Sequence, residues 1–374
     1  MKGKIMNILH LNTNFNQSSI YSNMFNSMNS FSSFSGRLYY PVQSNSKIID
    51  DISEYVDVSK SLKKLDRFVY FYRNKKLYKD LQNIYDFKSY NLTLAYSLFS
   101  NGYLAYTVNK KVGIPYIVIV QNTDINVYFK KMFFLRGIGR EILKGAHRVI
   151  FISQPYKEFV LNKYLSSKDK NLVENKSSII PFGIDNFWFN NLAEKPKSVR
   201  EDQIRLLYVG KINRNKNINS TIEVCKLLIK EGYKVKLTVV GEVQDKKIFK
   251  KILKVHFINY IPFVNKKNLI EIYRSNDIFI MPSIKESFGL VYAEAMSQGL
   301  PVIYTRGQGF DKHFKNGTVG YSVNCFNINE IAKKITLIIS NYESISENCI
   351  KLVSKFKWSN IISEYELIIQ EQSV

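Results

Sequence analysis

Cysteine is scarce in this chain. Cys225, Cys325 and Cys349 are odd in number, and their wide spacing matches no metal-ligand pattern. That argues against a disulfide framework and against a zinc site, and three buried, reduced thiols are expected instead. No run of eighteen apolar residues occurs, so no segment reads as a membrane-spanning helix. Repeats and low-complexity tracts are also missing, which sets aside solenoid and fibrous classes. The start, MKGKIMNILHLNTNFN, has two lysines before an apolar run too short for a secretory signal, with polar residues where cleavage would fall. It reads as the buried first strand of a cytoplasmic protein.

Acidic residues are the other shortage. Against 54 Lys plus Arg stand 31 Asp plus Glu, a net charge of +23. Residues 1–200 hold 29 basic and 14 acidic side chains, so most of the surplus lies in the first half. Nucleic acid, an anionic membrane surface or a phosphate-bearing substrate could each answer that charge. A background bias towards Lys, Asn, Ile, Tyr and Phe would supply it without any partner. Two segments mix cations with aromatics: SLKKLDRFVYFYRNKKLYKDLQNIYDFKSY at 61–90 and YFKKMFFLRGIGREILKGAHRV at 128–149. Interfacial helices use such residues at lipid headgroups, whereas an ordinary helix needs only one buried stripe. In the second segment Phe129, Met132, Phe133, Leu135 and Ile138 crowd nearly all round beside Lys130, Lys131, Arg136 and Arg140. That favours a membrane or lipid-acceptor surface there.

At 374 residues the chain exceeds one ordinary core, and two domains are expected. Strand and helix signals alternate. Strands are expected at 5–11, 37–42, 116–120, 149–152 and 179–181, and after a polar stretch at 190–203 again at 204–209, 236–240, 277–281 and 301–305. Helices are expected at 217–231, 269–275 and from Ser287. Alternation in both halves implies two doubly wound parallel α/β domains, 1–190 and 204–356. Ligands bind such sheets at the carboxyl ends of strands, and two such edges can face one another across a cleft.

The stretch PSIKESFGLVYAEAMSQGLPVI at 282–303 raises the functional question. Ser287 is the expected N-cap of a helix whose first amides, at Phe288, Gly289 and Leu290, would form a phosphate site, with Gly289 letting backbone approach a ligand. Glu286 before the helix and Glu294 within it are too far apart to share a proton. They suit two carboxylates gripping hydroxyls at opposite ends of a diphosphate-linked ligand, or else they are incidental to a capped surface helix. YVGKINRNKN, at 208–217, places Gly210 at a strand end with Lys211, Arg214 and Lys216 in the turn, where cations can neutralise a diphosphate leaving group.

These elements resemble family 4 retaining glycosyltransferases of the GT-B fold, of the bacterial surface-polysaccharide type, over nearly the whole length. Glu286 to Glu294 is similar to the family's Glu-x7-Glu element. VGKINRNKN is similar to VGR-x4-K-G, with Lys211 for Arg and Asn217 for Gly. GEVQDKK, beginning at Gly241, resembles its glycine-rich segment, and HFINYIP at 256–262 resembles F-x-G-x-V, with Asn259 for Gly and Ile261 for Val. PFGID at 181–185 resembles the turn ending the first domain, and KWSNIISEY the terminal helix, 357–374, that packs back on it.

The resemblance implies that Glu294 binds ribose, that Glu286 contacts the donor sugar, and that Lys216 and Lys211 hold the diphosphate. It also implies donor contacts from Phe288, Gly289, Leu290, Gly210, Arg214, Gly241 and Ile261. In the first domain Leu94, Tyr96 and Gln121 stand where histidines are usual, while Asp124 is retained. Asp124 is the preferred acceptor-side catalytic group, with helix capping as the alternative. His10, at the end of the first strand, is either near the cleft or simply packed.

The expected activity is that of a metal-independent, retaining hexosyltransferase, cytoplasmic and peripheral on the inner membrane face. It would take a UDP- or GDP-type nucleotide sugar as substrate, need no cofactor, and act on a polyprenyl-diphosphate-linked acceptor at an anionic membrane surface. No nucleic-acid partner is expected, because no helix-turn-helix, zinc or RNA-binding signature is present. The alternatives are a GT-B sugar-nucleotide epimerase and a basic nucleic-acid-binding protein.

Overall fold

The computed structural model describes residues 5–46, 53–196, 198–199 and 203–370, with backbone alone at 67 and 68. Lys2 and Lys4, residues 197 and 200–202 of the polar stretch, and residues 371–374 lie outside the described residues. The chain divides into two units. One comprises the described residues up to Ile152, Tyr156–Phe182, and those from Ile361 onward; the other comprises Ser153–Pro155 and Gly183–Asn360.

The first unit is built on seven strands: β1 Met6–Leu11, β2 Phe34–Gln43, β3 Val56–Leu62, β4 Leu92–Ala95, β5 Tyr116–Val120, β6 Arg148–Phe151 and β7 Ser177–Ile179. Their order is β3-β2-β1-β4-β5-β6-β7, and every pairing is parallel. A parallel strand covered on both faces must be apolar throughout, and YIVIV of β5 is buried at all five positions. Strand order reverses between β1 and β4, which opens a crevice at their carboxyl ends. From the last helix, Trp358–Gln370, Glu366 accepts a hydrogen bond from Ser33.

The second unit holds six strands: β8 Gln203–Val209, β9 Lys234–Val240, β10 Ile258–Ile261, β11 Ile278–Ile280, β12 Val302–Thr305 and β13 Gly320–Val323. The order β10-β9-β8-β11-β12-β13 is again parallel, with its reversal between β8 and β11. At the opposite end from that crevice, Asp277 is buried and takes Arg205 through Nη2 at 2.6 Å and Nε at 3.0 Å, pinning β11 to β8. The expected strands all appear within a few residues. β3, β4, β10 and β13 were not anticipated: β4 is only LTLA, and β3 is interrupted by Asp57, Ser59 and Lys60.

The segment 128–149 is helical only in part. Residues 128–149 comprise the end of a π-helical turn at Asp124–Phe129, a short 3-10 turn at Phe133–Leu135, the helix Arg136–Gly145 and the start of β6. Phe129, Leu135, Ile142 and Leu143 turn inward, while Phe133 and Phe134 stay exposed. Arg136 is not a free surface cation either: its Nε donates to the Phe129 carbonyl at 2.7 Å.

Candidate functional site

Two loops, after β8 and β11, make the second unit's candidate site. At the strand ends, a Cβ on Gly241 would fall 2.1 Å from the Gly210 carbonyl oxygen, and Gly241 has φ +149°. Only glycine lets these two backbones meet. Lys211 follows, exposed, and a 3-10 turn over Arg214–Lys216 is capped by Asn213, which accepts from the Lys216 amide at 3.0 Å.

The β8 loop is clipped to the β11 loop by asparagines. Asn215 donates to the Lys285 carbonyl at 2.8 Å and accepts from the Lys285 amide at 3.1 Å. Asn217 sits in the left-handed region with φ 54°, a conformation asparagine adopts more readily than other non-glycine residues. Its buried amide donates to the carbonyls of Pro282 at 3.0 Å and Cys325 at 2.8 Å. These clips bring Lys216 to Glu286, with Nζ 2.5 Å from Oε2. Ser283 Oγ also donates to Glu286 at 3.2 Å, and the Glu286 amide donates to Gln308 Oε1 at 3.0 Å.

The following helix, Leu290–Ser297, starts two residues later than Ser287 as N-cap requires. Gly289 takes the N-cap position, with φ +80°. No side chain caps this end, so the first-turn amides are left for solvent or a ligand. Phe288 turns its ring into the core against Phe310, His313 and Phe356, which leaves only its backbone for binding.

Beside these loops lies a cavity of about 840 Å³. Gly210, Lys211, Gly241 and Glu294 line it, as do Trp188, Phe263, Lys266 and Leu269. Glu294 accepts from the Tyr273 hydroxyl at 3.3 Å. Burial pushes its carboxyl up to about 7, against the opposing pull of Tyr273 and Lys266. Lys216 and Glu286 are not part of that lining, nor is Arg214, which is exposed. Ile261 does not line it either. Its carbonyl accepts from the Gly241 amide at 3.1 Å, and Phe263, 78% exposed and two residues on, reaches the cavity. Phe263, Trp188 and Lys266 were not singled out from sequence. An aromatic directly after Pro262 was the available signal for Phe263. Trp188 comes from a distant segment, and Lys266 pairs with Asp185 of that segment.

In the first unit Asp124 is 1% exposed. Its oxygens accept from the amides of Leu98 at 3.0 Å, Phe99 at 3.0 Å and Gln121 at 2.9 Å. Burial raises its carboxyl to about 6 while these amides hold it down. This is the geometry of a fastener between the loops after β4 and β5, with no oxygen turned to solvent. His10 is fully buried, its ring edge-on to Phe25, and burial lowers it to about 3. Gln121 and Tyr96 are hydrogen-bonded to one another, and Tyr21 donates to Gln121 at 2.9 Å. Of the positions where histidines were looked for, Tyr96 and Gln121 thus join an internal network, and Leu94 is packed in the core. Among the described residues no three His, Cys, Asp or Glu side chains converge as metal ligands.

Comparison with known proteins places this geometry. Residues 190–354 match the model of the family described as Glycosyl transferases group 1. The capsular polysaccharide biosynthesis glycosyltransferase CapM of Staphylococcus aureus is 26% identical over 273 residues, covering 64% of this chain and 71% of that protein. Among solved structures, the lipopolysaccharide outer core galactosyltransferase WaaB superposes with a TM-score of 0.76 at 15% identity, over 98% of this chain and all of that one. Anabaena HepE in complex with UDP and glucose superposes with a TM-score of 0.66 at 15% identity, with the same coverage. The fold is therefore GT-B, residues 190–354 form a glycosyl transferases group 1 domain, and the chain is a glycosyltransferase.

Proposed function

We propose that the chain moves a sugar from a nucleoside diphosphate to a hydroxyl of a lipid-linked acceptor, with retention at the anomeric carbon, during polysaccharide assembly. The observation that carries this reading is the pairing of a cavity at the β8–β9 strand ends with the Lys216–Glu286 couple beside it. The nucleotide occupies the cavity, its base against Phe263 and its ribose hydroxyls donating to Glu294. Lys211 and the uncapped amides at Gly289–Leu290 face the diphosphate. Before the donor arrives, Lys216 and Glu286 neutralise each other. Once it is bound, Lys216 turns to the phosphate and Glu286 accepts from a sugar hydroxyl. As the glycosidic bond breaks, negative charge grows on the diphosphate, where the lysine stabilises it without reorganising. The departing phosphate oxygen takes the acceptor proton, so attack comes from the leaving-group face. The names of CapM and of the UDP complex of HepE support a nucleotide-sugar donor and a polysaccharide setting.

A thermal-shift panel of UDP, GDP, TDP and ADP sugars tests the donor assignment. One nucleotide at a hundredfold its Kd should raise stability by about 2.7 kcal/mol. Transfer of the matching sugar, with the product anomer identified by NMR and unchanged by EDTA, should follow. No shift with any member of the panel would sink the reading. Sugar epimerisation without acceptor would move the chain to the alternative chemistry.

A further inference from the structure

A second cavity, of about 630 Å³, opens within the first unit at the carboxyl ends of its strands. Thr13 and Asn14 after β1, Lys63 after β3, Ser100 after β4 and Thr123 after β5 all reach it. Its distinguishing residue is Arg73, on the helix Tyr70–Ile84. This guanidinium is half-buried, yet it has no hydrogen bond or ion pair with any described residue. Desolvation accordingly lowers its pKa, with Tyr128, Tyr70 and Asp66 opposing that shift. The carboxylate on the cavity wall is already engaged, since Asp66 takes Lys76 Nζ at 2.8 Å and the Lys63 amide at 2.8 Å. Tyr70 and Tyr128 are fixed beside the cation. Tyr70 donates to the Phe99 carbonyl at 2.7 Å, and Tyr128 stacks on Phe99 at 4.8 Å while bonding Ser100 at 3.1 Å.

A half-buried cation with no partner among the described residues has given up part of its hydration for no protein contact, so its place on the cavity wall points to a ligand anion. The surroundings say what kind of molecule carries that anion. Leu65, Val69, Phe71, Tyr72, Phe133 and Phe134 are each between 52% and 74% exposed, and Val69, Phe71 and Phe134 line this same cavity. Exposed aromatic and aliphatic side chains gathered around a polar pit leave apolar surface that water does not favour. Lys63 and Lys64 at the edge supply the charge that anionic headgroups attract.

We infer that this cavity binds the phosphate of a membrane lipid, with Arg73 on the phosphate and the apolar rim in the bilayer interface. The inference deepens the reading of the chain as a lipid-acceptor glycosyltransferase and rests on it. The guanidinium meets phosphate oxygens through paired N–H groups, which a point-charge lysine cannot reproduce. The lipid's chains emerge between Phe71 and Phe134.

Flotation with phosphatidylcholine vesicles containing either a polyprenyl phosphate or the neutral polyprenol tests this. The wild-type protein should bind the phosphate-bearing vesicles about tenfold more tightly, the scale of one charge-assisted contact. Arg73→Gln should abolish that preference without lowering Tm, because it removes a half-buried charge that no described residue pairs. Phe133→Ser with Phe134→Ser should weaken binding to both kinds of vesicle. Equal binding of wild-type protein to the two vesicles would overturn the inference. So would an unchanged preference in Arg73→Gln, or a lowered Tm, which would make Arg73 structural. Competition by inorganic phosphate as effective as by the lipid would assign the pit to a free anion and overturn the lipid. Donor binding, followed by thermal shift on the same preparations, separates failure here from failure of the glycosyltransferase reading.

Discussion

Glu286 and Glu294 are two carboxylates of one loop and helix in opposite situations. Glu286 is held by an ammonium and a hydroxyl, whereas Glu294 sits in the cavity wall with its pKa raised to about 7 by burial. A raised folded-state value means that the neutral form stabilises the empty protein. That contribution is complete below the usual 4.5 and is lost as pH climbs through about 7. Ribose hydroxyls donating to Glu294 favour its charged form, so nucleotide binding should release protons near pH 6. Calorimetric titration of the nucleoside diphosphate in buffers of different ionisation enthalpy should show that release in the wild type and less of it in Glu294→Gln. Glu286→Gln should leave diphosphate affinity within about threefold while lowering turnover far more, because its contacts strengthen as the sugar departs. The reverse pattern would exchange the two roles.

At the level of elements, the site depends on strand-end backbones that approach more closely than side chains permit. A Cβ on Gly289 would lie 2.3 Å from Cε2 of Tyr292, a buried ring whose hydroxyl donates to the Met281 carbonyl at 2.6 Å and cannot retreat. Gly289→Ala should cost about 2–4 kcal/mol in urea unfolding, from positive φ and overpacking together. Asn217 supports the other loop. Asn217→Ala would strand two buried carbonyls and keep the left-handed strain, a loss of about 2–4 kcal/mol. Asn217→Gly loses the hydrogen bonds but relaxes the backbone, so it should be the milder of the two. Thermal melts of both variants check that order, and equal destabilisation would remove the conformational part of the account.

Across the whole molecule, the two crevices divide the chemistry. The one at β8 and β11 combines glycines, lysines and a buried glutamate; the cavity of the first unit combines exposed aromatics with a guanidinium that no described residue pairs. Much of the second unit was legible from sequence because its signals are local. A buried parallel strand reads as an apolar run, Gly210 and Gly241 punctuate strand ends, and the glutamates lie in one short stretch. β3 and β4 of the first unit were not legible. Neither offers a long apolar run, and sheet neighbours rather than their own residues make them strands.

What the amino-acid sequence determined by itself was the alternation of strand and helix, the breaks at glycine and proline, and the chemical types brought to each strand end. Partnership was decided only by the tertiary structure, because contacts between particular side chains and backbone groups, such as the pair Lys216 and Glu286 70 positions apart, leave no periodicity to read. Sequence could not foretell that Lys216 meets Glu286, that Asp124 is spent on three backbone amides, or that Phe263 rather than Ile261 reaches the cavity. Nor could it separate Arg136, which caps a carbonyl, from Arg73, whose guanidinium has no partner among the described residues. A cation's role is set by which acceptors folding places within about 3 Å of it, and that distance exists only once the chain has closed on itself.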